Sequence, residues 1–403
     1  MTNNIFSLSC MGSRERYNMP VALRRMGRLN KFFTDIYIPN RVSRIAEKLQ
    51  FIPSPVKALL NRNHEELTTD FVEQWPLLGV EFRSKIRSCN SRVSRQDLLL
   101  HYGSLFSEKV SKRISRNENL ISFTGQALES LRMCREFGNL AVLDQVDPGL
   151  PEWQLVYQEE LNNKDWCVSS IQNWSKNFER RILQELNTAS SVIVNSEYSK
   201  RCIKEWSGIK NVMVLDIPST LPLVRRQFFN CEKELKILYV GSISIRKGIQ
   251  YLLPAIHQLR KSGWAVSLTL VGELQLNIDK MNEFEGWVYK GALSKTDVQL
   301  MFDKHDLFVF PTLSDGFGMV QVEAMSRGLP VIASKHCAEV VTNNVDGLIL
   351  SEISTDAIVA SIETYLKDRD LLKNHSENTY LKINKFDPDN YKRRLLSILE
   401  GEL

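Results

Sequence analysis

The chain has no pair of cysteines close enough in sequence to suggest a metal clip. Its seven cysteines (Cys10, Cys89, Cys134, Cys167, Cys202, Cys231 and Cys337) stand singly, and only Cys337 has a histidine beside it. This excludes a zinc ribbon or finger and a disulfide framework, so no metal is expected and the thiols are read as reduced. No apolar run reaches the roughly 18 residues that a membrane span needs, and residues 1–11 have neither a basic segment nor a continuous apolar stretch. A soluble, cytoplasmic protein is the expectation. No segment repeats with a period of about 20–50 residues, which sets solenoids and propellers aside. Gly316 and Gly318 are followed by Gln321 instead of a third glycine, and GxxxxGK[ST], GxSxG and HExxH are absent. Dinucleotide, P-loop, serine-hydrolase and zincin fingerprints therefore fail, and no resident cofactor is implied.

Excess charge is also scarce: 52 Lys and Arg against 47 Asp and Glu leave +5, too little for a dedicated nucleic-acid binder. The charge is unevenly spread, with 20 basic against 11 acidic residues in positions 1–120. Arg14, Arg16, Arg24, Arg25, Arg28 and Lys31 are opposed there only by Glu15, which suggests either solvated helix faces or peripheral contact with an anionic membrane.

What the chain does have is length and short apolar runs. Its 403 residues, 43% of them hydrophobic, are enough for two domains of about 100–200 residues each. Brief β-branched runs at 140–143, 192–194, 237–240, 266–271, 307–310 and 331–333 alternate with helical patterns at 249–261, 295–302, 320–327 and 355–368. Continuous rather than alternating apolarity marks strands buried on both faces, so the expected class is α/β with doubly wound parallel sheets. Pro218, Pro222 and the polar stretch around Arg225 and Arg226 place a seam near residue 225. The expected division is a first domain over 1–225, a second over 226–385, and a helix within 386–403. That helix has Tyr391, Leu395, Leu396 and Leu399 on one side and would pack back on the first domain.

In such sheets ligands bind outside the carboxyl ends of the strands. Three strand ends carry suitable chemistry. After 237–240 come Gly241, Ser242 and the adjacent cations Arg246 and Lys247, at the start of a helix and suited to a phosphate. After 307–310 come Asp315, Gly316, Phe317, Gly318, Met319 and Val320, with Glu323 farther along the helix. Glycines there let backbone N–H groups approach an anion, and carboxylates accept the hydroxyls of a diol or sugar. After the first strand comes Gly12. Plain turn, capping and surface roles are the alternatives for each. The acid pairs Asp368/Asp370 and Asp387/Asp389 lie away from strand ends and are read as solvated.

Across positions 237–350 these motifs resemble the nucleotide-sugar-binding half of retaining GT-B glycosyltransferases, in the large family called glycosyl transferases group 1 (glycosyltransferase family 4). The match comprises Val240-Gly241 with Lys247-Gly248; Val271-Gly272 with Lys290-Gly291-Ala292-Leu293; Asp315-Gly316-Phe317-Gly318 with Glu323-Ala324-Met325; and the run from Gly328 to Ala333 leading to Glu339 and Gly347. An acid, seven residues and a Glu form the family's donor signature, and Asp315 and Glu323 occupy its ends. The resemblance implies a GT-B fold of two Rossmann-like domains facing a cleft, and a hexosyltransferase-type activity using a nucleotide diphosphate sugar, UDP or GDP. It further implies that Asp315 contacts the transferred sugar, Glu323 the ribose, Lys247 the diphosphate, and the backbone of Phe317, Gly318, Met319 and Val320 the sugar and phosphates. Gly12, Gly241 and Gly291 would line the donor, Gly12 from the other domain. The acceptor would be a hydroxyl, lipid-linked or on a polysaccharide.

Two positions depart from the pattern. Asp315 is one methylene shorter than the usual Glu, and Ser242 stands where Arg often follows the first Gly, so Arg246 is the candidate for the second cation. Asp144 and Asp147 are candidates near the reacting sugar, with loop-turn acids as the alternative. His101 has no motif behind it. The rival functions are a GT-B epimerase, which lacks the acid pair, a phosphorylase, which is much longer, and a catalytically degenerate sugar-nucleotide-binding subunit.

Overall fold

The computed structural model describes residues 5–46, 59–219, 221, 224 and 234–401. Seven parallel strands form the first sheet: β1 (Phe6–Cys10), β2 (Leu29–Thr34), β3 (Val72–Gln74), β4 (Asn119–Phe123), β5 (Ala141–Gln145), β6 (Ser191–Val194) and β7 (Val212–Val214), in the order β3-β2-β1-β4-β5-β6-β7. Six parallel strands form the second: β8 (Leu235–Val240), β9 (Val266–Val271), β10 (Trp287–Tyr289), β11 (Leu307–Phe310), β12 (Val331–Ala333) and β13 (Gly347–Ile349), in the order β10-β9-β8-β11-β12-β13. Both orders reverse beside the first strand, at β1/β4 and β8/β11, and such reversals open the crevice where doubly wound sheets bind ligands.

Helices on both faces explain the unbroken apolar runs. All four residues of β11 are buried, and so are all four of β6. The expected strands 266–271, 307–310 and 331–333 and the helix Ile249–Lys261 fall on their predicted limits, and the helix expected at 320–327 is Met319–Ser326. Asp368 and Asp387 accept backbone N–H groups as N-caps of Arg369–Ile383 and Pro388–Glu400, a role that satisfies otherwise orphaned donors.

The seam near residue 225 lies outside the described residues, as do Pro222, Arg225, Arg226 and Cys231. The helix Pro388–Glu400 packs into the first domain's core through Tyr391, Leu395, Ile398 and Leu399, beside Met19 and Leu23. Ile398 takes the buried place that the sequence pattern gave to Leu396, which is only half-buried. Arg394 pairs with Asp216, and Arg28 with Glu400. The domains also interlock at Trp166, which stacks on Phe284 at 5.6 Å and is buried in the second domain's core.

Candidate active site

The groups singled out in the second domain lie on loops that leave strands toward the cleft or, for Met319, Val320 and Glu323, on the helix that one of those loops opens. The turn after β8 carries Gly241 and Ser242 and ends in Arg246 and Lys247; the loop after β11 carries Asp315 and runs into the helix Met319–Ser326. The two loops are laced together, since Leu313 N–H donates to the carbonyl of Arg246 at 2.8 Å and the Lys247 ammonium is paired with the Asp315 carboxylate. Lys247 is buried and lies 5.1 Å from the centre of the Phe310 ring. Burial lowers its pKa, partly offset by Asp315. Burial pushes Asp315 the other way, but the charges of Lys247 and Arg246 outweigh it and hold the carboxyl below its ordinary value.

Gly318 is the N-cap of the Met319–Ser326 helix, in the left-handed region at φ 80° that a side chain rarely adopts. Phe317, expected to offer its backbone to the donor, is tied into the loop. Its N–H donates to Asp315 Oδ1 at 3.2 Å, and its ring is core, edge-on to Phe386. Met319 and Val320 open the helix, half-buried. One turn on, Glu323 is half-buried, and burial raises its pKa against the opposing pull of Arg16 and Lys295. Arg16 belongs to the first domain, so this carboxylate senses both walls of the cleft. The Gly291 carbonyl, at the end of β10, accepts the N–H of Gly272 at 2.9 Å.

From the first domain, Gly12 follows β1, but its N–H is already engaged by Asp35 Oδ1 at 2.8 Å. Asp35 is 1% exposed and also receives Arg62 and Arg83. This anchored carboxylate shapes the loop after β1. Residues Glu15, Arg16 and Tyr17 take positive φ values of 47°, 52° and 67° there, uncommon for side-chain-bearing residues. Burial pushes Glu15 up to about 7, with Arg14 pulling against it.

Asp147 accepts Gln145 Nε2 and the N–H of Gly149, at 3.0 and 2.9 Å, and so shapes its own turn. Asp144 is buried at the end of β5; burial, then the nearby Glu15, raise it well above the ordinary range. His101 is exposed on the helix Arg92–Ser111, edge-on to Tyr102 at 5.0 Å. Of the basic residues at 24–31, Arg25 pairs with Glu66, Lys31 donates to the carbonyl of Asp70, and Arg24 lies over Phe71. Arg28 is held by Glu400, while Arg14 and Arg16 are exposed.

One group at the cleft, Glu152, escaped sequence reasoning, and two in the family-like turn after β6, Ser196 and Tyr198, have cross-domain partners that the sequence does not show. Glu152, on the helix Leu150–Asn162, lies 3.8 Å from Arg246 and is buried. Burial pushes it up to about 7, opposed first by Arg246. Ser196 donates to the carbonyl of Gly316 at 2.6 Å, and Tyr198 to Ser314 Oγ at 3.0 Å. Ser196 also caps its own helix, accepting the Ser199 N–H at 3.0 Å, but these contacts with Arg246, Gly316 and Ser314 form only where the two domains meet.

Residues 223–382 match the family model described as Glycosyl transferases group 1. Among curated relatives, the chain is 29% identical to a lipopolysaccharide 1,2-N-acetylglucosaminetransferase of Salmonella typhimurium, over 42% of this chain and 49% of that one. It is 28% identical to the capsular polysaccharide biosynthesis glycosyltransferase CapM of Staphylococcus aureus, over 37% and 41%. The chain spans about half the length of the curated relatives it matches. Among solved structures, a sucrose-phosphate synthase of Thermosynechococcus elongatus superposes with a TM-score of 0.64 at 17% identity, covering 99% of each chain. HepE of Anabaena in complex with UDP does so at 0.62 and 16%, covering 99% and 100%. The fold is therefore GT-B, two Rossmann-like domains facing a cleft. The family match is confined to the second domain, and the structural matches show the fold.

Proposed function

We propose that the protein is a retaining glycosyltransferase that moves a sugar from a nucleotide diphosphate sugar to an acceptor hydroxyl, in the assembly of a cell-surface polysaccharide, lipopolysaccharide or glycolipid. The observation that carries this reading is the spacing of two carboxylates along one strand-end edge: Asp315 beside Lys247, and Glu323 opposite Arg16 and Lys295. Glu323 accepts the ribose hydroxyls. The first N–H groups of the Met319–Ser326 helix and Lys247 take the phosphates, because a helix start and an ammonium both favour an anion. Asp315 accepts hydroxyls of the transferred sugar. Relatives named for lipopolysaccharide and capsule synthesis, and a structural neighbour holding UDP, support this class of donor and product.

Negative charge grows on the leaving diphosphate as its bond to the anomeric carbon breaks. Lys247, Arg246 and the helix start act most strongly at that moment, which is how fixed charges lower a barrier. The acceptor oxygen bonds to the same face of that carbon, and its proton passes to the leaving phosphate oxygen. No protein nucleophile is required. The test is proton NMR of the protein incubated with UDP- and GDP-hexoses: release of sugar, or its transfer, in the donor's own anomeric configuration supports the reading, and product of inverted configuration overturns it.

A further inference from the structure

The groups of the cleft follow one another in space. Glu323 stands at one end, then the start of the Met319–Ser326 helix, then Asp315 with Lys247. Arg246 extends the series, its Nη1 3.3 Å from the Ser314 carbonyl and 3.8 Å from Glu152 Oε2. Past Arg246 lies a cavity of about 640 Å³ between the domains, with Arg92, Glu152, Trp153 and Ser170 on one wall and Arg246 and Gln275 on the other. That volume suits a small polar ligand.

The lining matches the chemistry of a sugar ring. Trp153 is half-buried and forms an aromatic group with Trp174, ring centres 6.5 Å apart, which Tyr157 joins edge-on. Indole faces pack well on apolar C–H surfaces, while serine hydroxyls and a carboxylate serve the ring's O–H groups. Glu152 is 9% exposed, and its Oε2 has no hydrogen-bond donor; Arg246 at 3.8 Å is an ion-pair neighbour beyond hydrogen-bond range. An oxygen buried without a donor is costly to the fold, and a ligand hydroxyl that donates to it would relieve that cost.

Resting on the glycosyltransferase reading above, we propose that this cavity receives the terminal pyranose of a glycan acceptor and that Glu152 accepts the hydrogen bond of the hydroxyl to be glycosylated. Arg246, shared between Glu152 and the loop of Asp315, then holds acceptor and donor in register. Glu152 does not keep the proton, which leaves on the phosphate.

The test uses octyl β-glycosides of glucose, galactose, mannose and N-acetylglucosamine, with UDP or GDP present. Saturation-transfer NMR on the wild type is expected to show binding of at least one glycoside. Ser170→Trp, which fills the cavity from its exposed rim, abolishes that binding; Glu152→Gln weakens it at least tenfold, and Glu152→Asp recovers part of it. In transfer assays Glu152→Gln raises the KM for the glycoside at least tenfold while the KM for the donor moves less than threefold. The proposal is overturned if no glycoside binds, if either Ser170→Trp or Glu152→Gln binds like the wild type, or if the donor KM rises in step with the glycoside KM. Glycoside binding that Ser170→Trp blocks, without sugar transfer from any donor, supports the glycan site and overturns the transferase reading alone.

Discussion

The hydroxyl of Ser196 donates to the carbonyl of Gly316 at 2.6 Å, fastening the loop after β11 to the turn that follows β6. The approach is close enough that a Cβ on Gly316 would stand 2.4 Å from the backbone carbonyl oxygen of Val146 and 3.0 Å from the side-chain Nδ2 of Asn195. The nearer obstacle, the Val146 carbonyl, is backbone and cannot swing aside as a flexible side chain would. Gly316→Ala is therefore expected to part the domains at this point and to cost about 1–3 kcal/mol, the usual effect of overfilling a packed contact. Small-angle scattering should show a larger radius of gyration than the wild type, and an unchanged profile with wild-type stability would contradict the contact.

Asp35 shows how a site loop depends on a residue that touches no ligand. Its carboxylate holds Gly12, Arg62 and Arg83 together, and it is 1% exposed. Asp35→Ala strands the Arg62 guanidinium, 3% exposed, without its partner, and breaking such a buried pair costs about 3–5 kcal/mol. Urea denaturation should report the loss, and the loop after β1 should become a site of proteolysis. A variant as stable as the wild type would show that the pair is not needed.

Glu15 and Glu152 give the fold a pH dependence of definite sign. Burial pushes both up to about 7 from an ordinary value of 4.5. A carboxyl whose pKa is raised in the fold contributes its stability below the unfolded value, and that contribution is lost as pH rises through the folded value. Stability is thus expected to fall between about pH 4.5 and 7, and Glu15→Gln should flatten that slope by about 1–3 kcal/mol. Chemical denaturation at several pH values reads this directly; a Glu15→Gln profile parallel to the wild type would contradict it.

The second domain was the legible half of this chain, for a physical reason. Its central strands are buried on both faces, so burial writes itself as runs such as 266–271 and 307–310, and its site groups sit on strand ends within one local motif. In the first domain, β1 and β4 bury Ser7, Ser9 and Ser122, with Ser7 bonded to Glu118 and Ser9 to Ser122. These hydroxyls satisfy one another across the sheet and interrupt the apolar pattern. The strands β3 and β10, of three residues each and only partly buried, leave almost no periodicity to read. Glu152 was illegible because its partner lies 94 residues away, and the turn Asn195-Ser196-Glu197 could be read as a turn while the Ser196–Gly316 bond, 120 residues apart, could not. Gly12 was identified from its turn, but nothing local discloses that Asp35 occupies its N–H.

Lys247 is expected to act on turnover more than on folding. Its ammonium is buried, paired with Asp315 and closest among the cations to the loop that carries the helix start. Replacing a fixed charge of this kind lowers kcat by about 10²–10³-fold. Lys247→Ala should therefore lose donor hydrolysis and transfer by that factor, measured alongside a circular dichroism spectrum that matches the wild type. Wild-type turnover in a folded Lys247→Ala protein would remove the residue from the mechanism.

The central claim is that Glu323 closes a nucleotide site, and thermal unfolding with UDP, GDP, ADP and dTDP tests it most directly, on the wild type and on Glu323→Ala. A ligand that binds only the native state raises the midpoint by mass action, by about 2.7 kcal/mol of stability at a hundred times its Kd. The account predicts a rise with one base in the wild type and its loss in Glu323→Ala. An equal rise in both proteins, or none with any nucleotide, would contradict it.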